Sequence, residues 1–195
     1  MRKLLILSLV LCLATVVGCS KPPQQDIDAA NTSLEAARTA GAQDYAPESL
    51  QAAEQAKQDL DNELQVQQDK FFKSYSKAKE LAAAAKTAAD KAEQDANTGK
   101  EAMRQEVGTA IQNARTELAA VRDQLAKAPR GKGTAADLAT LTSDLDGIDT
   151  SLNEAQAAFD GQRYAEAKTK VEAAGQTLAT VKSDIEGAQA AKAGK

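Results

Sequence analysis

The chain has 195 residues, with 24 Lys and Arg against 28 Asp and Glu, and neither His nor Trp. Its acidic, mixed-charge composition excludes a nucleic-acid surface, because phosphate binding needs clustered Lys and Arg. With no His, and with cysteine at positions 12 and 19 alone, the usual general base, nucleophile and metal ligands are missing, so no enzyme, cofactor or metal centre is expected.

The N-terminus opens with Met1-Arg2-Lys3, followed by an unbroken apolar or small-residue run from Leu4 to Val17. That run is too short to cross a bilayer, which takes roughly 20 residues, and it fits a secretory signal peptide over 1–18. It ends in Val16-Val17-Gly18-Cys19, which resembles the lipobox of bacterial lipoproteins, with Val16 departing from the commoner Leu. The resemblance implies cleavage before Cys19, diacylglycerol (palmitate-type chains) on its thiol and a membrane anchored through that lipid. Cys12 would leave with the leader, so the mature chain would keep no free thiol, and removal of Arg2 and Lys3 would move the net charge from −4 to −6. Ser20, where enteric inner-membrane lipoproteins carry Asp, points to the outer membrane with the folded part facing the periplasm; the inner membrane is the alternative. Residues 19–25 read as a polar tether.

From there the chain reads as helix throughout. Ala is about one residue in five, Lys, Glu and Gln are plentiful, and the four prolines at 22, 23, 47 and 129 fall between segments. No period-two pattern predicts a strand. A first helix is expected from Asp26 as N-cap to Gly41, on the stripe Ile27, Ala30, Leu34, Ala37. A second opens at Pro47, with the stripe Leu50, Ala53, Lys57, Leu60, Leu64, Gln67, Phe71. After a bend over Phe72 to Tyr75 a third carries Tyr75, Ala78, Ala82, Ala85, Ala89, Ala92 and Ala96. The pattern runs on through Gly99, Met103, Val107, Ile111, Ala114, Leu118, Val121 and Leu125. A 4-4 spacing there is a stutter that unwinds a coiled coil without breaking it, so one long helix is preferred to a turn at Asn97-Thr98-Gly99. Ala128 to Gly133 reads as a loop with Thr134 as the next N-cap. Two further helices carry Leu138, Leu141, Leu145, Ile148, Leu152, Ala155, Phe159 and, after a turn over Asp160 to Arg163, Tyr164, Ala167, Val171, Ala174, Leu178, Val181, Ile185, Ala188. The tail from Ala190 should fray.

A shift of 88 takes Leu50, Leu60, Leu64 and Phe71 to Leu138, Ile148, Leu152 and Phe159, and a shift of 89 takes Tyr75 to Tyr164. The chain is therefore expected to be all-α, with two antiparallel three-helix, coiled-coil-like units (26–98 and 99–190) sharing a long middle helix, and a frayed tail over 191–195. Large stripe residues concentrate in the second unit, so the first should be the weaker core. Its alanine stripe reads either as close helix packing or as a candidate partner face at Ala82, Ala85, Ala89 and Ala92.

The stretch Ala40-Gly41-Ala42-Gln43-Asp44-Tyr45-Ala46-Pro47-Glu48-Ser49-Leu50, with Tyr75-x-x-Ala78-x-x-Leu81-Ala82, resembles an alanine-rich helical lipoprotein family of unknown function that also occurs ahead of OmpA-like domains. The resemblance spans roughly 19–96 and implies location and fold without an activity. Lys73-Ser74 departs from the Gly-Asp usual there, and no OmpA-like, peptidoglycan-binding domain follows.

These readings lead to a non-enzymatic, membrane-anchored envelope lipoprotein that acts as a helical spacer or protein-docking module, through a protein partner or self-association. The alternative is a periplasmic carrier or chaperone for an apolar ligand or unfolded client. A basic turn at Lys127, Arg130 and Lys132 reads as solvated before it reads as a site for anionic lipid or glycan. Attachment of Lys195 to peptidoglycan has no support beyond a terminal lysine.

Overall fold

A computed structural model of the chain describes residues 21–127 and 135–193. Six helices occur among the described residues: α1 Gln24–Thr39, α2 Ala42–Tyr45, α3 Pro47–Gln68, α4 Ser76–Ala126, α5 Ala135–Asp160 and α6 Tyr164–Ala193. No strand occurs among them. The chain divides into two compact units within α4, after Asn97. It is an all-α protein of two units sharing the long helix α4, which is continuous through Asn97-Thr98-Gly99; each unit has three long helical segments, and the first adds the short α2.

In the first unit, α1 starts at Gln24, two residues before the expected Asp26 cap. The carbonyl of Pro23 accepts the N–H groups of Asp26 (3.1 Å) and Ile27 (3.0 Å), so the proline carbonyl opens the first turn. Asp26 instead lies in that turn, where its charge complements the exposed N–H groups. The corner after α1 is built on Gly41, whose φ of 84° is open to glycine and strained for other residues. An extra turn of helix, α2, follows, and its Tyr45 ring packs on Gly41. Pro47 then occupies the first position of α3. The Tyr45-Ala46-Pro47-Glu48 stretch is thus a structural corner, with Ala42 and Ala46 buried in it.

Every alanine of the α4 stripe from Ala78 to Ala96 is buried. Ala89, Ala92 and Ala96 pack with Leu34, Ala37, Leu50 and Ala53, while Ala78 and Ala82 pack with Ile27, Leu60 and Tyr75. Small side chains let three backbones approach closely, at the expense of apolar area removed from water. Polar bonds close the seams: Arg38 on α1 reaches Glu54 on α3 at 2.8 Å, and Ser49 on α3 donates to Asp95 on α4.

The second unit has larger side chains. Val107, Ile111, Leu118 and Val121 of α4 meet Leu145, Ile148 and Leu152 of α5 and Val171, Leu178, Val181 and Ile185 of α6. Ion pairs and hydrogen bonds fix the register. Arg115 donates to Asn153 at 3.0 Å and Arg122 to Asp146 at 2.8 Å, so seven residues forward on α4 are seven residues back on α5, as antiparallel packing requires. Glu106 and Glu117 of α4 accept from Lys168 (2.8 Å) and Lys182 (3.0 Å), which advance together along the parallel α6. Lys170 bridges to Glu154 on α5 at 2.8 Å, whereas the sequence spacing favours Glu166, four residues back. Glu166 is taken by Arg163 at 2.7 Å. α6 continues to Ala193, beyond the Ala188 limit expected from its stripe.

Candidate functional site

The α3–α4 connection departs most from its sequence reading. α3 ends at Gln68, and residues 69–75 are non-helical, so the bend begins three residues before Phe72. Gln67 explains this. Its side chain is buried, Nε2 donates to Glu63 Oε1 at 2.6 Å, and Oε1 accepts from the backbone N–H of Ser74 at 3.0 Å. One amide group therefore ties the far end of the loop back to the last turn of α3.

Phe71, expected on the buried stripe, lies instead in this loop with 92% of its surface exposed, beside Phe72 at 77%. Their rings meet edge to face, with centroids 5.0 Å apart. Val66, on the last turn of α3, is also exposed. Lys70 and Lys73 flank the pair, both are exposed, and neither has an acidic partner among the described residues. Over residues 69–80, Lys70, Lys73, Lys77 and Lys79 face Asp69 and Glu80, a local charge of +2 in a chain of net −4. Sequence reasoning missed this site because Phe71 fits the heptad spacing; the adjacent Phe72, off that spacing, was the available signal.

The candidate partner face is not free. Ala82, Ala85, Ala89 and Ala92 are each 2% exposed or less, and Ala82, Ala89 and Ala92 pack within the apolar clusters of the first unit. Cys19, Arg130, Lys132 and Lys195 lie outside the described residues. Lys127 is described and pairs with Asp123 at 2.5 Å. Phe159 and Tyr164 pack together, ring centroids 5.2 Å apart, as expected of packing residues.

Two surface depressions lie among the described residues. An open groove of about 470 Å³ runs between α5 and α6, lined in part by Gly147, Ile148 and Ala174, with the Glu154–Lys170 pair on its wall. The Lys170 ammonium lowers the Glu154 carboxyl pKa, and Lys170 is raised in turn. A smaller one, about 350 Å³, lies at Tyr45, Pro47 and Asp95. Hydrogen bonds from Lys91 and then Ser49 hold Asp95 below the usual carboxylate range. Among the described residues no group of three His, Cys, Asp or Glu is placed to hold a metal ion. No helix among them is long and apolar enough to cross a membrane.

Compared with protein-family models, with curated proteins and with solved structures, the chain gives no match.

Proposed function

We propose that this protein is a non-enzymatic lipoprotein of the cell envelope, anchored by lipid on Cys19. Its helical units would act as a spacer or docking module on the periplasmic side of the outer membrane. The observation that carries the reading is Gly18-Cys19 placed where a 14-residue apolar run, Leu4 to Val17, gives way to polar sequence. The fold is compatible with this role. Apart from Phe71, the stripes of both units lie largely within their own helices, and ion pairs join neighbouring helices. The lipoprotein-family likeness around Tyr45-Ala46-Pro47-Glu48 favours the same location.

The carrier reading would need an apolar chamber. Among the described residues, the groove at Gly147 and Ala174 is open and bordered by an ion pair. The spacer reading is therefore preferred.

The experiment is metabolic labelling with an alkyne fatty acid in cells making the wild-type chain or Cys19→Ala. Label and membrane fractionation should both be lost in the variant. A variant that is processed normally and stays in the membrane would overturn the proposal.

A further inference from the structure

We propose that the Phe71–Phe72 loop is a membrane-contacting tip that seats its two rings in the surface of an anionic bilayer, with Lys70 and Lys73 on the headgroups. Three observations meet here. First, two adjacent phenylalanines are exposed at 92% and 77%, on a loop that Gln67 holds in shape. A preformed loop inserts its rings with little ordering cost. Second, the residues on either side are cationic, and the loop 69–75 carries a net charge of +1 in an acidic chain. Apolar side chains flanked by Lys match the boundary between acyl chains and anionic headgroups. Of the acidic neighbours, Asp69 opens the loop beside Lys70, Glu63 accepts from Gln67, and Asp26 lies on the first turn of α1.

Third, the start of the described chain lies at the same end of the unit. Ile27, one turn into α1, packs with Leu60, Tyr75 and Ala78. In the antiparallel register set by the Arg38–Glu54 pair, Gln24 of α1 and Gln68 of α3 stand at about the same level. The loop that follows Gln68 therefore lies at the same end as the beginning of α1. Cys19 is four positions before Pro23, at most about 14 Å of chain. A lipid on Cys19 would place a bilayer within reach of the tip. This third observation rests on the lipid-anchored reading; the first two do not.

The test uses a chain beginning at position 19 with Cys19→Ser, which keeps every described residue and carries no lipid. Its failure is thus distinct from failure of the anchor. The probe is a vesicle of phosphatidylglycerol and phosphatidylethanolamine in equal parts, compared with pure phosphatidylcholine. Flotation should show binding to the first and not the second. Phe71→Ser with Phe72→Ser should weaken it at least about tenfold, since full burial of one Phe corresponds to roughly tenfold to a hundredfold. Lys70→Gln with Lys73→Gln should also cost about tenfold or more, at about fivefold per charge. All four positions are exposed, so the helical circular dichroism should not change. Because the chain has no Trp, Phe72→Trp gives a single reporter. Its emission should shift to the blue on anionic vesicles and be quenched by brominated acyl chains. An unshifted emission, or vesicle binding indifferent to the two Phe, would overturn the proposal. So would a dimer that the double Ser variant dissolves in the absence of any vesicle binding, which would make the tip a contact between copies.

Discussion

The ring of Phe159 lies directly over Gly108: a Cβ added at Gly108 would stand 3.3 Å from Phe159 Cζ. Gly108 is inside α4, where glycine costs roughly 0.5–1 kcal/mol relative to alanine. Here the missing side chain makes room for the last large residue of α5. Gly147 and Gly175 are also helical, and a Cβ at either meets nothing within 4 Å. Gly147→Ala and Gly175→Ala should each stabilise the protein by about 0.5–1 kcal/mol. Gly108→Leu should destabilise it by about 1–3 kcal/mol through overpacking. Denaturant midpoints of the three variants check the contrast.

Gln67 is the buried polar residue on which the aromatic loop depends. Gln67→Ala should remove the bond to Ser74 and cost about 1 kcal/mol, because Ser74 is exposed and water replaces part of the interaction. Amide exchange over residues 69–75 should accelerate while that of α6 stays unchanged. Equal acceleration in both would show that the side chain does not hold the loop.

The alanine stripe is core, so Ala85→Gln and Ala89→Gln should weaken the first unit. Each forces a longer polar chain into a site 2% exposed, at about 1–3 kcal/mol. Seven of the eight largest fully buried side chains, Ile111 and Leu145 among them, belong to the second unit, and Leu60 alone to the first. A fragment of residues 98–195 should therefore melt above a fragment of 21–97, measured by helical ellipticity against temperature. The opposite order would refute this account of the two cores.

Titration gives a signed expectation. Asp90 is lowered by Lys86 and then Ser33, Asp95 by Lys91 and then Ser49, and Glu154 by Lys170. Arg104, and then Gln105, hold Glu101 down to about 2. A carboxylate with a lowered folded pKa adds stability above its unfolded value, near 4, and loses it as pH falls through the folded value. With no His to titrate near neutrality, stability should be flat from about pH 5 to 8 and decline between about pH 4 and 2. The pairs are exposed, so the decline should be shallow. Melting temperatures across that range check it, and a step near pH 6.5 would contradict it.

The helices themselves were legible in the sequence. A 3-4 spacing is a one-dimensional code, and at Ala78, Ala82, Leu145 or Val171 it marked positions that are buried. Pro47 likewise marked the start of α3 from its own backbone chemistry. The aromatic tip was not legible, because the heptad pattern assigned Phe71 to the interior. The shift of 88 that equates Phe71 with Phe159 fails for the same reason: one ring is in solvent and the other on Gly108, while Tyr75 and Tyr164 do occupy similar buried places. What separates the two phenylalanines is the hydrogen bond from Ser74 to Gln67, which accompanies the end of α3 three residues before Phe71. The alanine face was similarly ambiguous, since a small side chain has little burial energy with which to declare its partner. Sequence determined where the long helices lie and, for most of their length, which side of each is apolar, because both depend on neighbours within a few positions. Tertiary structure alone decided what covers Ala89 and Ala92, that Lys170 pairs with Glu154, and that two phenylalanines are left in water, because those outcomes depend on which helices meet and on where one buried amide closes a loop.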